Sequence, residues 1–475
     1  MRITQNASYM TIASIAQKVV AFVYFTLIAR TLGPEQQGIY STALTFTTIM
    51  VVFIDLGLTN VLIREVAKAK DKAQTYLSTV VAIKIVLGIL TYLATVLIVN
   101  VVPYDPLLKQ LIYVSAITML FDSFHTTMYG VLRGLGDLRY ESIMVFGSQL
   151  CTLALGSIFL FYGLPIVFLI LAFTIASAVN FLFAFVMMKK HYAVRLIPSF
   201  DPEIARLLIR IAIPFALAGL FARVYSYVDS LLLERFLDVR AVGWYSVAYK
   251  ITYAFQFIPL ALVAALYPQL SKYYKENKER LAYIFERGLV YLALAAFPIA
   301  FGIAVLARDI ILSIFTVAYE PSIMPLQILV ISLIFSFIGF PIGACLNACD
   351  RQATQTKIVG AVMVVNVLLN ILFIPIWGPS GAAVAALIGN ILLTVIGYLY
   401  IPSIAAISHR YIFKNIGLIA LSAAVMAAVV FAVHSSVSYS ISIIIGAFVY
   451  AAMVIATKVL RPSQLVELRL LLQKK

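Results

Sequence analysis

Residues 76–101 read YLSTVVAIKIVLGILTYLATVLIVNV, and this stretch decides the solvent in which the chain folds. One ionisable residue, Lys84, interrupts it. As a helix the stretch exceeds the about 20 apolar residues needed to cross roughly 30 Å of hydrocarbon. Similar runs recur along all 475 residues, which are 63% hydrophobic and only 12% charged. Soluble domains carry roughly 45–50% apolar and 25% charged residues, so no water-soluble fold could hide this much apolar surface. A membrane β-barrel would instead show period-two segments of about ten residues. The expected fold class is therefore an all-α membrane protein of about 14 transmembrane helices.

Spans are expected near 8–31, 39–63, 76–101, 107–132, 141–162, 165–188, 205–233, 242–268, 281–306, 322–348, 357–376, 380–402, 412–433 and 437–457. Turn signals separate them, among them Gly33-Pro34, Gly163-Leu164-Pro165 and Gly378-Pro379. Proline lacks an N–H and glycine frees the backbone, so both end helices. Residues 308–321 read as a short interfacial helix. Residues 1–7 lack the small-residue cleavage site of a secretory signal, and the apolar run from Ser8 is too long for a signal core, so it is read as a retained first span.

The formal charge of +15 is spread over short connections. It therefore reports topology and not nucleic acid. Alternate connections carry most of the Lys and Arg: Arg64 to Lys72, Arg133 to Arg139, Lys189 to Arg195, Lys272 to Arg280, Arg351 to Lys357, Arg410 to Lys414, and the tail from Lys458 to Lys475. By the positive-inside rule these face the cytoplasm and both termini lie inside. Cys151, Cys345 and Cys349 all sit in apolar runs, which argues against disulfides and against a zinc or other metal site.

Gly38-Ile39-Tyr40-Ser41 recurs as Gly243-Trp244-Tyr245-Ser246, and Gly163 before the sixth span matches Gly378 before the twelfth. The pattern implies two pseudo-symmetric six-helix lobes related by an axis along the membrane normal. The expected division is an N-terminal lobe over 1–200, a C-terminal lobe over 201–405, and two further helices with a tail over 406–475.

Charges inside spans cost about 3 kcal/mol or more unless they meet a partner or water, which makes them informative. The offset that aligns Gly38 with Gly243 also aligns Lys18 with Arg223. Two cations facing each other repel unless water or an anion lies between them, which argues for a hydrated anion-binding cavity. Lys18, Arg223 and Lys250 are the candidate substrate-binding residues. Asp55, Asp122, His125 and Asp229 are candidates for ion coupling or for interhelical ion pairs, with Asp122 and His125 sharing a helical face. Arg210 and Arg287 lie near a cytoplasmic end and can snorkel. Lys84 has no assigned role.

No HExxH pair, GxSxG elbow or phosphate loop is present, and no soluble segment is large enough for a nucleotide site, so no enzyme activity, catalytic residue or cofactor is expected. Energy would come from a Na+ or H+ gradient or the membrane potential.

Three blocks carry a resemblance: Asp55-Leu56-Gly57-Leu58 followed by Arg64-Glu65-Val66-Ala67; Asp229 ahead of Gly243-Trp244-Tyr245-Ser246-Val247-Ala248; and Ile374-Pro375-Ile376-Trp377-Gly378-Pro379-Ser380-Gly381-Ala382-Ala383. They resemble the polysaccharide-exporting flippases of the multidrug/oligosaccharidyl-lipid/polysaccharide superfamily. The resemblance spans nearly the whole chain. It implies two lobes around a cationic cavity that opens alternately to either side, with a polyprenyl phosphate- or pyrophosphate-linked oligosaccharide as cargo. It associates basic residues of the first, seventh and eighth spans with substrate, which Lys18, Arg223 and Lys250 match. The implied setting is the plasma membrane, with membrane lipids around the protein and a glycan polymerase or glycosyltransferases as partners. Three other readings stay open: a cation-coupled drug or metabolite exporter, a peptidoglycan-precursor flippase and a non-transporting scaffold for glycan synthesis.

Overall fold

The computed structural model describes residues 2–192 and 197–459, with side chains described except at 2–9, 11 and 191. Arg195 and the tail cations from Arg461 to Lys475, part of the expected inside charge, lie outside the described residues. The helices are α1 (Arg2–Asp55), α2 (Leu58–Lys68), α3 (Ala73–Val101), α4 (Pro106–Leu135), α5 (Arg139–Phe161), α6 (Val167–His191), α7 (Pro202–Phe236), α8 (Val239–Ala254), α9 (Phe257–Glu276), α10 (Lys278–Val305), α11 (Ala307–Ile314), α12 (Ile323–Ala348), α13 (Gln352–Trp377), α14 (Pro379–Tyr400), α15 (His409–Val433) and α16 (Tyr439–Ala456). No strand occurs among the described residues.

Among the described residues, 13 helices are long and apolar enough to cross a membrane. The first, Ile12–Asp55, has 44 residues. At 1.5 Å per residue it would reach roughly 66 Å, about twice the hydrocarbon core. It is broken at Gly33, whose φ of 77° and ψ of 177° lie outside the helical region, with Pro34 next in sequence. The two arms on either side are the first two of the expected 14 spans.

Two further expected spans are interrupted. The second ends at Asp55, and after Leu56 (φ 41°) and Gly57 (φ 74°) the chain restarts as α2. A Cβ on Gly57 would fall 2.7 Å from Cβ of Phe215, so α2 turns against α7 only because that side chain is absent. The eighth is split between Ala254 and Phe257 into α8 and α9. The expected interfacial segment is α11 followed by a 3-10 turn over Val317–Ser322, where the Ala318 carbonyl accepts the Trp244 indole N–H at 2.9 Å.

The chain forms two compact units, Met1–Gly243 and Trp244–Lys475. This division falls later than the one drawn at 200/201 from the duplication, because α7 packs on α1, α2 and α3. In the first unit α1 also packs on α4 and α5, and α4 on α2 and α6. One core joins Tyr24, Ile28, Ile54, Ile112 and Ile170, and another joins Leu58, Leu77, Tyr129, Leu132 and Leu208. In the second unit α12 packs against α9, α10 and α14, α13 packs on α14, and α15 packs on α10 and α16. The helices expected to stand apart over 406–475 thus join this unit. The Arg287 guanidinium donates to the Tyr411 hydroxyl and lies over the rings of Tyr283 and Tyr411, holding α15 to α10.

The repeated glycines meet within the first unit. A Cβ on Gly38 would fall 1.6 Å from the carbonyl oxygen of Val239, and one on Gly243 would fall 1.9 Å from that of Pro34. Arg240 bridges to Glu35 at 3.0 Å on the exposed side of this crossing.

Candidate substrate cavity of the N-terminal unit

A cavity of about 570 Å³ opens within the first unit, lined from α1, α2, α4, α5, α6 and α7. Its volume falls in the roughly 300–1,000 Å³ range of small-molecule sites. The lining is unusually polar for helices this apolar. Hydroxyl pairs cross between helices, Thr47 to Ser115 at 2.7 Å and Thr118 to Thr174 at 2.7 Å. Such pairs satisfy groups that hydrocarbon cannot.

Asp55 lines the cavity at the end of α1. The helix break beside it turns its carboxylate onto α2, where Oδ1 accepts the Thr59 hydroxyl and, at 3.4 Å, the Thr59 backbone N–H. Lys84 on α3 reaches the same oxygen at 2.6 Å. The Lys84 side chain is 0% exposed, and its amine also donates to Thr127 Oγ1 at 2.6 Å, Thr59 Oγ1 at 3.1 Å and Ser123 Oγ at 3.2 Å. An ammonium buried this deeply is tolerated because every proton has an acceptor. The pair ties α1, α2, α3 and α4 together.

Asp122 and His125 also line the cavity, on one face of α4. The Asp122 carboxylate accepts the Ser177 hydroxyl from α6, and His125 Nδ1 lies 3.7 Å from it. Asn180 on α6 accepts the Tyr129 hydroxyl at 2.5 Å. Arg133, near the end of α4, is bound by Glu141 from α5, with Nε to Oε2 at 2.8 Å. Arg223 on α7 is exposed and lines the cavity, its guanidinium 6.0 Å from the Tyr227 ring centre.

The remaining expected residues lie elsewhere. Lys18 is half-buried on α1, next to the lining residue Gln17, and is not itself among the lining residues. Asp229 is buried on α7, where its Oδ1 accepts the Ser230 N–H at 2.7 Å. Lys250 lies half-buried on α8 in the second unit. The cavity lies within one unit, where the expectation was a cationic chamber between two lobes, and it is not purely cationic, since Asp55 and Asp122 share it with Arg223.

Residues 3–274, more than half of the chain, match the family described as "Polysaccharide biosynthesis protein". The chain belongs to the polysaccharide biosynthesis protein family. Residues 214–372 also match MatE. This family member is therefore a multi-pass membrane protein of the multidrug/oligosaccharidyl-lipid/polysaccharide superfamily. The probable low-salt glycan biosynthesis flippase Agl15 of Haloferax volcanii is 22% identical over 90% of this chain and 89% of that protein. The capsular polysaccharide biosynthesis protein CapF of Staphylococcus aureus is 23% identical over 87% of this chain and 99% of that protein. Among solved structures, the lipid II flippase MurJ in an inward closed conformation superposes with a TM-score of 0.77 at 18% identity, covering 94% of this chain and 97% of that one. That likeness fixes the fold of this polysaccharide biosynthesis family member.

The sequence alone assigns no role to Lys84 and does not single out Asn180. A lone lysine in the middle of residues 76–101 was the available signal for the first. Asn180 was one amide among many polar residues in apolar runs, and nothing local marked it.

Proposed function

We propose that this protein is a flippase that carries a polyprenyl phosphate- or pyrophosphate-linked oligosaccharide across the cell membrane by alternating access, for cell-surface polysaccharide or glycan biosynthesis. The observation that carries this reading is a hydrophilic cavity inside a membrane-spanning helical unit, with Arg223 on its wall. A headgroup of phosphate and sugar cannot cross hydrocarbon unaided, whereas its lipid tail stays in the bilayer. Arg223 meets the phosphate, because guanidinium forms paired charge-assisted bonds to phosphate oxygens. Lys18 and Lys250 supply further positive charge. The protein works in the plasma membrane with both termini cytoplasmic, beside glycosyltransferases or a glycan polymerase, and performs no covalent chemistry. Relatives named for glycan and capsule biosynthesis support the cargo class.

The test is translocation of a fluorescent polyprenyl-diphosphate saccharide in vesicles containing the purified protein. Wild type should move the probe and Arg223→Ala should slow it at least tenfold. Equal rates with and without protein would overturn the reading. A second reading, a cation-coupled exporter of drugs or metabolites, draws on the two carboxylates in the cavity and on the match to MatE. Dye efflux that follows a Na+ or H+ gradient, with no movement of the glycolipid, would favour it. A charge moved across 100 mV gains about 2.3 kcal/mol, and such a gradient or the membrane potential is the proposed energy source for either process.

A further inference from the structure

The cavity wall offers more than a phosphate contact. Two carboxylates line it, and carboxylates repel phosphate. In both, every recorded partner meets Oδ1: Lys84 and Thr59 at Asp55, Ser177 and His125 at Asp122. Among the described residues nothing donates to either Oδ2. Asn180 lines the same cavity and is only 4% exposed. The Tyr129 hydroxyl occupies its Oδ1, which fixes the amide orientation and presents Nδ2 as a donor with no acceptor among the described residues.

Polar groups that open into a cavity without a protein partner are met by water or by a ligand. A sugar ring is complementary to this set. Its hydroxyls donate to carboxylate oxygens, and a hydroxyl or acetamido oxygen accepts from an amide N–H. The two carboxylates differ in charge balance. Lys84 neutralises Asp55 at 2.6 Å, whereas the basic group beside Asp122 is a histidine at 3.7 Å. A sugar bearing its own carboxylate would meet a like charge there.

We infer that the N-terminal cavity is a saccharide subsite for an uncharged, hydroxyl- or acetamido-bearing sugar of the cargo, and that Asp122 is the specificity-determining residue that excludes acidic sugars from it. The cargo rests on the flippase reading, but the discrimination is a property of this wall.

The test uses the full chain in lipid nanodiscs and two soluble probes, geranyl diphosphate-linked N-acetylglucosamine and geranyl diphosphate-linked glucuronic acid, titrated by calorimetry. Wild type should bind the neutral probe at least about tenfold more tightly, a difference of about 1.4 kcal/mol. Asp122→Asn keeps the shape and removes the charge, and should bring the two affinities within about threefold of each other. Asn180→Leu should weaken the neutral probe about fivefold or more without improving the acidic one, and it reads the same wall should Asp122→Asn fail to fold. Equal affinity of the two probes in wild type, a preference unchanged in Asp122→Asn, or no binding of either probe overturns the subsite. If the preference is found but vesicles move no glycolipid, the flippase reading falls and the subsite stands. If vesicles move glycolipid without the preference, the reverse holds.

Discussion

Gly38 and Gly243 hold equivalent places in the two repeats, and each lies against the backbone that starts the other's helix segment. Gly38 faces the Val239 carbonyl and Gly243 faces that of Pro34, and Val239 and Pro34 are themselves related by the same offset. Glu35 and Arg240, which form the ion pair beside them, are related by it too. The crossing is self-complementary, as in a two-fold interface between identical subunits.

Adding one methyl group at this crossing should therefore push the second arm of α1 from residues 239–243. Gly38→Ala and Gly243→Ala should each destabilise the protein by about 1–3 kcal/mol, the cost of overpacking against backbone that has no rotamer to yield. Thermal unfolding in detergent measures this. Gly417→Ala, where a Cβ meets nothing within 4 Å, is the control and should leave the midpoint unchanged or raised.

The Glu35–Arg240 bridge should matter far less. Its side chains are 59% and 53% exposed. Glu35→Gln should cost under about 1 kcal/mol, and the loss should shrink further in high salt. A large, salt-independent loss in the same melting assay would show that the pair is shielded from solvent.

Lys84 is a different case. Lys84→Met leaves the Asp55 carboxylate without its cation and should cost about 3 kcal/mol or more. Adding Asp55→Asn should restore much of that loss, since an uncharged pair needs no buried counter-charge. A double variant no more stable than Lys84→Met alone would refute the pairing as the source of the effect.

In the second unit, Tyr411→Phe keeps the ring under the guanidinium and removes the hydroxyl that accepts from Arg287. A loss of about 1–2 kcal/mol is expected. Arg287→Ala removes both the hydrogen bond and the cation over Tyr283 and Tyr411, so its loss should be larger. Protease or hydrogen-exchange protection of α15 reports whether that helix loosens first.

Helices and their count were legible because hydrocarbon demands a length and an apolarity that single segments display. The break at Gly33-Pro34 was visible for the same local reason. The break at Leu56–Gly57 was not, since no proline marks it and the close approach of Phe215 that requires a glycine there comes from another helix. Which charges meet was legible only within a helix, as for Asp122 and His125. Helices apolar on nearly all sides carry no stripe to fix their rotation, so the contact of Lys84 with Asp55 could not be read from spacing. The duplication aligned Lys18 with Arg223, but alignment does not orient side chains, and only Arg223 reaches the cavity wall.

The Lys84–Asp55 pair also bears on how the chain is made. A segment carrying an unaccompanied lysine at its centre enters the bilayer from the translocon about 3 kcal/mol less readily than a neutral one. Asp55 leaves the ribosome before Lys84, so the acceptor is waiting when the lysine arrives. The second arm of α1 thus precedes the third span in synthesis and carries the partner that its lysine meets in the folded protein.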